Sequence, residues 1–483
     1  GCDMKFQDLY EQDSPFGEIE VTGVTNDSRK IKKGMVFVCV QGAKDDGHQY
    51  ARMAEQAGAA VIVAERDTGA KHQLIVENSR RVYAGLCAAF FGYPAKKIKI
   101  IGITGTNGKT TTSLLLKSVL EAQGYKVGLI GTIQNVVGEQ TLPAHNTTPD
   151  AYEIHSLLSL MEKAGCDFVV MEVSSHALDQ ERVYGLHFAA GIFTNLTQDH
   201  LDYHKTMENY LECKKRLFYA CDRSIVNLDD PAAEQILAAS AGENFTFSTR
   251  RDDSDYCAKN IRHRPGGVSF ELVGDGVIGR VSLSIPGEFS VYNALAAGVC
   301  ALALGCPFTG VLDALSAARG VKGRVEVVPT GRDFTVVIDY AHTPDGLLNV
   351  TRAMNKVKNG RLVTLFGCGG DRDRLNRPVM GRIAAEQSDF VIVTSDNPRT
   401  EEPRAIIDDI LVGMQETDTP YAVVEDRREA ISYALQHAQK GDLILLAGKG
   451  HETYQILSSG TVHLDEREIV ADVLARLEQD NAE

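Results

Sequence analysis

A glycine-rich turn set between a strand and a helix constrains this chain more than any other feature of its sequence. The run KIKIIGITG (residues 97–105) is apolar and β-branched, as a buried strand requires. From Lys109 the pattern changes to helical periodicity, which lasts to about Gln123 and stops at Gly124. The connection, GITGTNGKTTT (102–112), carries Gly-Lys-Thr at 108–110. Backbone N–H groups of such a turn can wrap phosphate oxygens at a helix N-terminus, where the dipole favours an anion. In such a turn Lys109 would reach the β- and γ-phosphates, and Thr110 would place its hydroxyl on Mg²⁺. The spacing departs by one residue from GxxxxGK[ST], which would need glycine where Ile103 stands.

The same strand–helix alternation continues on both sides of this turn. YKVGLIGT, CDFVVMEV, FAAGIFTNL and RSIVNLDD read as further strands, and YNALAAGVCALALG as a buried helix that closes the region. Such alternation predicts a mainly parallel sheet with helices on both faces. Past residue 330 it restarts with the strands TVVIDYAH, RLVTLFGCG, DFVIVTSDNP and DLILLAGKG. That is a separate Rossmann-like unit, whose ligands belong beyond the strands' carboxyl ends. Ahead of the central region, MVFVCVQG and AAVIVAE are strand-like, and NSRRVYAGLCAAFFGYP closes a small α/β domain with a helix that stops before Pro94. At 483 residues the chain has room for three domains. They are expected at 1–97, 98–329 and 330–483, giving a three-domain α/β architecture.

Charge and composition narrow the partners. With 65 acids against 50 bases the net charge is −15, which disfavours nonspecific binding to nucleic acid or to anionic membranes. It leaves room for anionic small substrates held by a few local cations. The first thirty residues hold many acids and no apolar core, so a secretory signal is not expected. No apolar run approaches the roughly 18 residues of a membrane span. The ten cysteines form no CxxC pair, and several lie in apolar runs (Cys39, Cys166, Cys300). Buried thiols in a reducing cytoplasm are the expectation.

The turn TGTNGKTT resembles the phosphate loop of the Mur ligases and of the related folylpolyglutamate synthetases. Further segments resemble the Mur family in its own order: NTTPD (146–150), MEVSSHALDQERV (171–183), TNLTQDHLDYH (194–204), YNALAA (292–297), Gly323 with Arg324, DYAHTPD (339–345), GCGGDRD (367–373), DNPR (396–399) and GKGHE (448–452). The resemblance therefore covers nearly all of the chain beyond residue 100.

It implies an ATP-dependent amide ligase of peptidoglycan precursor synthesis. Gly105, Thr106, Asn107, Gly108, Lys109, Thr110 and Thr111 are expected to bind ATP, joined by Asn293, Arg324 and Asp339 and with His342 adding a phosphate contact. Glu172 ends a buried strand, a costly place for a carboxylate unless it meets a cation. With Thr110 it would offer Mg²⁺ the oxygen ligands that ion prefers. By the resemblance His200 helps hold a second Mg²⁺, and Lys214 matches the lysine that the family carbamylates. Lys214 is preferred to Lys215 because Leu217 and Phe218 follow it by three and four residues, as in the family. A Lys–Lys pair on a helix is by itself an ordinary solvated face.

The resemblance also assigns substrates. Asn146, Thr147, Thr148, Ser174, Gln180 and Arg182 match positions that hold the UDP-muramoyl peptide, and Asn26 and Ser28 in TNDSRKIKKG (25–34) match the uridine side. The QGAKDD loop (41–46) departs from one branch of the family. DNPR, with Asp396, Asn397, Pro398 and Arg399, looks like the branch that adds meso-diaminopimelate. That molecule carries a second amino-acid head, and Arg399 can offer its distal carboxylate a bidentate fork. Lysine brings only an ammonium and would leave the arginine unpaired. Arg372 would take the other carboxylate, and Gly448 and Glu452 the distal amine. Without this context the same four residues are a helix-entry turn ahead of Pro403. The alternatives are ligation of L-lysine, a folylpolyglutamate synthetase-like ligase, or an ATP-hydrolysing switch, for which the C-terminal unit would be unnecessary. Closure of the C-terminal domain over its substrates is expected.

Overall fold

The computed structural model describes residues 4–195 and 206–482. The chain divides by compactness into two units, residues 1–257 with 295–311, and residues 258–294 with 312–483.

In the first unit, four short parallel strands, β1 (Gly23–Thr25), β2 (Met35–Val38), β3 (Val61–Ala64) and β4 (Gln73–Ile75), form a sheet in that order. The Ser79–Phe90 helix is capped by Asn78, whose side chain accepts from the Arg81 N–H. Its Ala84, Leu86 and Cys87 share a core with Val36, Val38, Val61 and Val63 of the sheet. The main sheet of this unit comprises β5 (Lys99–Thr104), β6 (Val127–Ile130), β7 (Gln134–Val137), β8 (Gln140–Pro143), β9 (Phe168–Glu172), β10 (Ala190–Phe193), β11 (Arg223–Asn227) and β12 (Glu243–Ser248). Their order is β12-β11-β10-β5-β9-β6-β7-β8, parallel from β12 to β6 and antiparallel beyond. Parallel strands buried on both faces need continuous apolar runs, and β6, β9 and β10 are buried at every position. The phosphate turn, Thr132, Glu172 and Asn195 thus all emerge at one edge of the sheet.

The chain passes along β13 (Tyr256–Arg264) into the second unit, where β14 (Gly267–Gly274) and β15 (Val277–Leu283) pair as an antiparallel hairpin. The strands β16 (Glu326–Val328), β17 (Thr335–Asp339), β18 (Leu362–Phe366), β19 (Phe390–Val393), β20 (Tyr421–Val423) and β21 (Leu443–Ala447) form a sheet in the order β16-β17-β21-β18-β19-β20. All are parallel except the edge strand β16. Alternate residues along β17 and β21 face opposite cores. Val337, Leu443 and Leu445 join Leu347, Met380 and Ile406 of three helices on one face, while Val336, Ile444 and Leu446 join Ile431 and Val470 of two helices on the other. This is the expected Rossmann-like layering. A hairpin of β22 (Tyr454–Leu457) and β23 (Gly460–His463) follows the sheet. Among the described residues no helix is long and apolar enough to cross a membrane. The described cysteines are all free and buried, and burial pushes the Cys39 thiol up to about 12.

Under the second sheet lies an ion pair with no exposure on either side chain, Arg427 Nε to Glu466 Oε2 at 3.1 Å. The same guanidinium donates to Ser395 O just beyond β19 (3.1 Å) and to Ala447 O at the end of β21 (2.9 Å). Arg427→Ala would strand a buried carboxylate, and such a break costs about 3–5 kcal/mol. A clearly lowered thermal midpoint is expected, whereas the apolar double variant Arg427→Met/Glu466→Leu should lie much nearer the parent. Scanning calorimetry on the three proteins checks this ordering.

Candidate functional site

The phosphate turn leaves β5 at Thr104 and enters the Lys109–Ala122 helix through two glycines with positive φ, Gly105 at 145° and Gly108 at 86°. A Cβ on Gly105 would lie 1.8 Å from Thr194 Oγ1, so glycine is required there for space as well as for conformation. The residues leaving the neighbouring strand β10 fasten the turn. Thr106 N–H donates to Asn195 O and Asn107 N–H to Asn195 Oδ1, both at 3.0 Å, and Thr194 Oγ1 donates to Asn107 O at 2.8 Å. The Lys109 ammonium curls into the turn and donates to Gly105 O at 2.7 Å and Thr106 O at 3.3 Å. Burial lowers its pKa, and the charge of Glu172 opposes that shift.

Glu172 is 1% exposed at the end of β9. Thr110 Oγ1 donates to its Oε1 at 2.8 Å and Thr132 N–H to its Oε2 at 2.8 Å, with Thr132 Oγ1 3.1 Å from Oε1. Hydrogen bonds satisfy this buried carboxylate, and Thr110 is one of the donors. Two oxygens 2.8 Å apart match neighbouring vertices of an octahedron with bonds of about 2.0–2.1 Å, so Thr110 and Glu172 fit Mg²⁺. His200 lies outside the described residues. Among the described residues no cluster of three or more His, Cys, Asp or Glu could hold a metal.

The two adjacent lysines of the Met207–Phe218 helix part company. Lys215 pairs with Glu212 at 2.8 Å, whereas Lys214 is 1% exposed. The Lys214 amine donates to Thr104 Oγ1 at 3.3 Å and sits 4.7 Å from the centre of the Tyr210 ring. Burial holds its pKa well below the ordinary lysine value, and the positive charge of Lys109 adds to the effect. Tyr210 Oη in turn hydrogen-bonds Thr106 Oγ1 at 3.0 Å, tying this helix to the phosphate turn.

A cavity of about 300 Å³ joins these groups, lined by Lys109, Lys214 and Tyr210 together with Asn146, Thr147, Thr148, Ser174 and Arg182. Arg182 donates to Thr148 O at 2.7 Å and to Gln180 Oε1 at 2.7 and 3.1 Å. Thr148 Oγ1 donates to Glu172 O at 2.8 Å and accepts from Ser174 N–H at 3.0 Å. Ser174 caps the Ser175–Asp179 helix, its hydroxyl accepting from Ala177 N–H. A smaller cavity of about 150 Å³ is lined by Asn26, Asn146, Gln180 and Arg182. Ser28 opens a short 3-10 turn nearby and lines neither cavity. Thr111 lies in the first turn of the Lys109–Ala122 helix.

In the second unit Asp339 accepts from Val325 N–H and Ala341 N–H, each at 2.8 Å. It thereby fixes the turn that carries Arg324, and burial raises its pKa. His342 is bonded through Nδ1 to Tyr340 O at 2.9 Å, and Asn293 sits in the Ser290–Ala303 helix. Parallel pairing brings the loops after β18, β19 and β21 to one edge. Gly370 N–H donates to Asn397 O at 2.8 Å, and Arg399 Nη1 donates to Gly370 O at 3.0 Å. Arg399 has a φ of 52°, and its N–H donates to Ile456 O at 3.1 Å. Asp396, Asn397 and Pro398 are buried, whereas Arg372 is exposed and donates to Asp371 O. Glu452 faces the ammonium of Lys449 at 3.9 Å. The Pro403–Val412 helix starts at the expected proline. Sequence reasoning did not single out Thr132, Tyr210, Asn195 or Lys449. Tyr210 lies four residues before Lys214 and so on its face of the helix, a signal that was available.

Fold and site together define an α/β protein of the phosphate-binding class, with a glycine-rich turn, a lysine and a buried glutamate at the ends of parallel strands. Comparison with known families is decisive on which one. The description "Mur ligase middle domain" matches residues 103–301, "Mur ligase, glutamate ligase domain" matches 323–450, and "Mur ligase family, catalytic domain" matches 20–86. The chain is 46% identical over 465 residues to a UDP-N-acetylmuramoyl-L-alanyl-D-glutamate–2,6-diaminopimelate ligase of Caldanaerobacter subterraneus, covering 95% of this chain and 96% of the relative. It is 44% identical over 467 residues to the ligase of the same name from Clostridium botulinum, with the same shares covered. A solved structure of a ligase of that name is 31% identical with a TM-score of 0.79 over 99% of both chains. A folylpolyglutamate synthase of Mycobacterium tuberculosis, 18% identical with a TM-score of 0.51 over 82% of this chain and 94% of that one, shares the fold. The chain belongs to the Mur ligase family.

Lys109→Ala is expected to reduce ADP formation by roughly 10²-fold or more, the usual consequence of losing one preorganised charge on a developing anion. The melting profile should change little. Steady-state ADP release and circular dichroism measure the two, and a variant retaining near-parent turnover would remove Lys109 from the site.

Proposed function

We propose that this protein joins meso-2,6-diaminopimelate to the γ-carboxylate of UDP-N-acetylmuramoyl-L-alanyl-D-glutamate at the expense of ATP, in the cytoplasm, as a step of peptidoglycan precursor synthesis. The observation that carries this reading is the 300 Å³ cavity where the phosphate-turn lysine, the buried Lys214 and the residues matched to the muramoyl peptide meet. The names of the relatives agree with it.

In this reading residues 1–97 hold the uridine side through Asn26 and Ser28, residues 98–329 hold ATP, and residues 330–483 hold the incoming amino acid. Thr110 and Glu172 would bind one Mg²⁺, with Lys214, as its carbamate, and His200 at a second. The bound cations neutralise phosphate charge. Burial favours the neutral form of the Lys214 amine, the nucleophile that carbon dioxide requires. Its nitrogen bonds the carbon, a proton leaves to solvent, and the product is an anion beside Lys109. The peptide γ-carboxylate then attacks the γ-phosphorus and ADP leaves. Lys109 balances the charge that builds on the phosphates, and Arg182 with Ser174 orients the peptide. The diaminopimelate amine attacks the acyl phosphate, and the tetrahedral adduct loses phosphate and a proton to give the amide. Arg399 receives the distal carboxylate, Arg372 the proximal one, and Gly448 and Glu452 the distal amine.

ADP release measured with and without the muramoyl dipeptide, and with diaminopimelate against L-lysine, tests the reading. Hydrolysis that ignores both substrates would overturn it, and lysine used at comparable kcat/KM would replace its amino acid. Lys214→Ala should be nearly inactive and partly restored by added short carboxylates, whereas Lys215→Ala should keep most activity. Arg399→Ala removes one partner of a desolvated charge pair, a loss of about 2–5 kcal/mol. The KM for diaminopimelate should rise more than about tenfold, with those for ATP and the UDP-peptide little changed.

A further inference from the structure

Lys449 follows β21 in the GKGHE segment, and its side chain has no exposure at all. A lysine in such a place must pair. Its ammonium lies 3.2 Å from Asp396 Oδ1, donates to Asn397 Oδ1 and stands 3.9 Å from Glu452 Oε1. Asn397 Oδ1 also accepts from Ile456 N–H at 2.9 Å, and Gln455 Nε2 donates to Asp396 O at 2.7 Å. The ammonium therefore locks the loop after β19 to the loop after β21, and Ile456 and Gln455 of β22 hold the same two β19-loop residues. Arg399, two residues beyond Asn397, is aimed by that loop.

The charges show what the lock does. Asp396, Glu452, Lys449 and Arg399 are two anions and two cations. Of the two carboxylates that face the ammonium, Asp396 is the closer, and that pair satisfies one charge of each sign. Glu452 and Arg399 remain, one anion and one cation, the complement of a zwitterionic amino-acid head. Without Lys449 the pocket would carry an excess negative charge beside the group meant to receive a carboxylate.

We propose that Lys449 is the positioning residue for amino-acid specificity: it neutralises Asp396 and fixes Asn397, so that Arg399 and Glu452 face the distal head of the incoming amino acid. This rests on the amino-acid-pocket reading of the preceding subsection. Lys449 acts through its neighbours and touches no substrate.

Two variants test it. Lys449→Gln keeps a hydrogen-bond donor for Asn397 without the charge, and Lys449→Met keeps neither. KM and kcat are measured for all three substrates, using whichever amino acid the parent protein uses best, so that a wrong amino-acid assignment shows in the parent alone. The expected result is a KM for the amino acid raised at least tenfold in Lys449→Met and less in Lys449→Gln. The ratio of kcat/KM for diaminopimelate over lysine should fall, with KM values for ATP and UDP-peptide within twofold of the parent. Unchanged amino-acid KM, or an equal rise for all three substrates, overturns the proposal. So does failure of both variants to fold, since that would make Lys449 a support of the domain and not of the pocket's selectivity.

Discussion

A carboxylate that ends a fully buried parallel strand has to find donors at once, and the arrangement of the nucleotide end of this protein follows from how Glu172 finds them. Its oxygens take a hydroxyl from the helix after β5 and an amide from the turn after β6, binding three neighbouring strand ends together. Gly131 makes this possible, since a Cβ there would stand 2.3 Å from Oε2. The Glu172 carbonyl accepts from Thr148, and through Thr148 it is linked to Ser174 and Arg182. Thr148, Ser174 and Arg182 on one side of the cavity and the glycine-rich turn on the other are thus hung from one glutamate.

The second unit solves the converse problem with buried cations. Arg377, 1% exposed, donates to Gly369 O at 3.0 Å and to Asp409 Oδ2 at 3.0 Å, with Glu401 as a further partner. Arg427 clamps the strand ends β19 and β21 from beneath. Buried ion pairs of this kind add little net stability, because desolvation offsets their attraction. What they fix is geometry, since each fastens carbonyls of a loop whose neighbouring side chains face the ligand edge.

Much of this was legible in the sequence, for physical reasons. β5, β6, β9 and β10 are buried on both faces and so read as unbroken apolar runs, and the phosphate turn is a local feature of consecutive residues. β7 (QNVV) and β8 (QTLP) are four residues each, too short to show alternation or apolar length, and β8 is mostly exposed. The hairpin β14–β15 was missed likewise, and Val277 and Ile278 on it are exposed. Thr132 and Lys449 acquire their roles only when distant strands pair, which no local pattern records. The choice of Lys214 over its neighbour rested on resemblance, and the helix does turn Lys214 inward and Lys215 toward Glu212.

Arg427 has a further consequence through its partner. Glu466 belongs to the Glu466–Ala482 helix, which packs on the far face of the sheet through Ile469, Val470 and Val473. A chimera that swaps the ligand loops between ligases of different amino-acid preference, while keeping the recipient's own final helix, would graft side chains without the struts that aim them. Recombination boundaries in this family are better drawn around such struts than around the motifs they support.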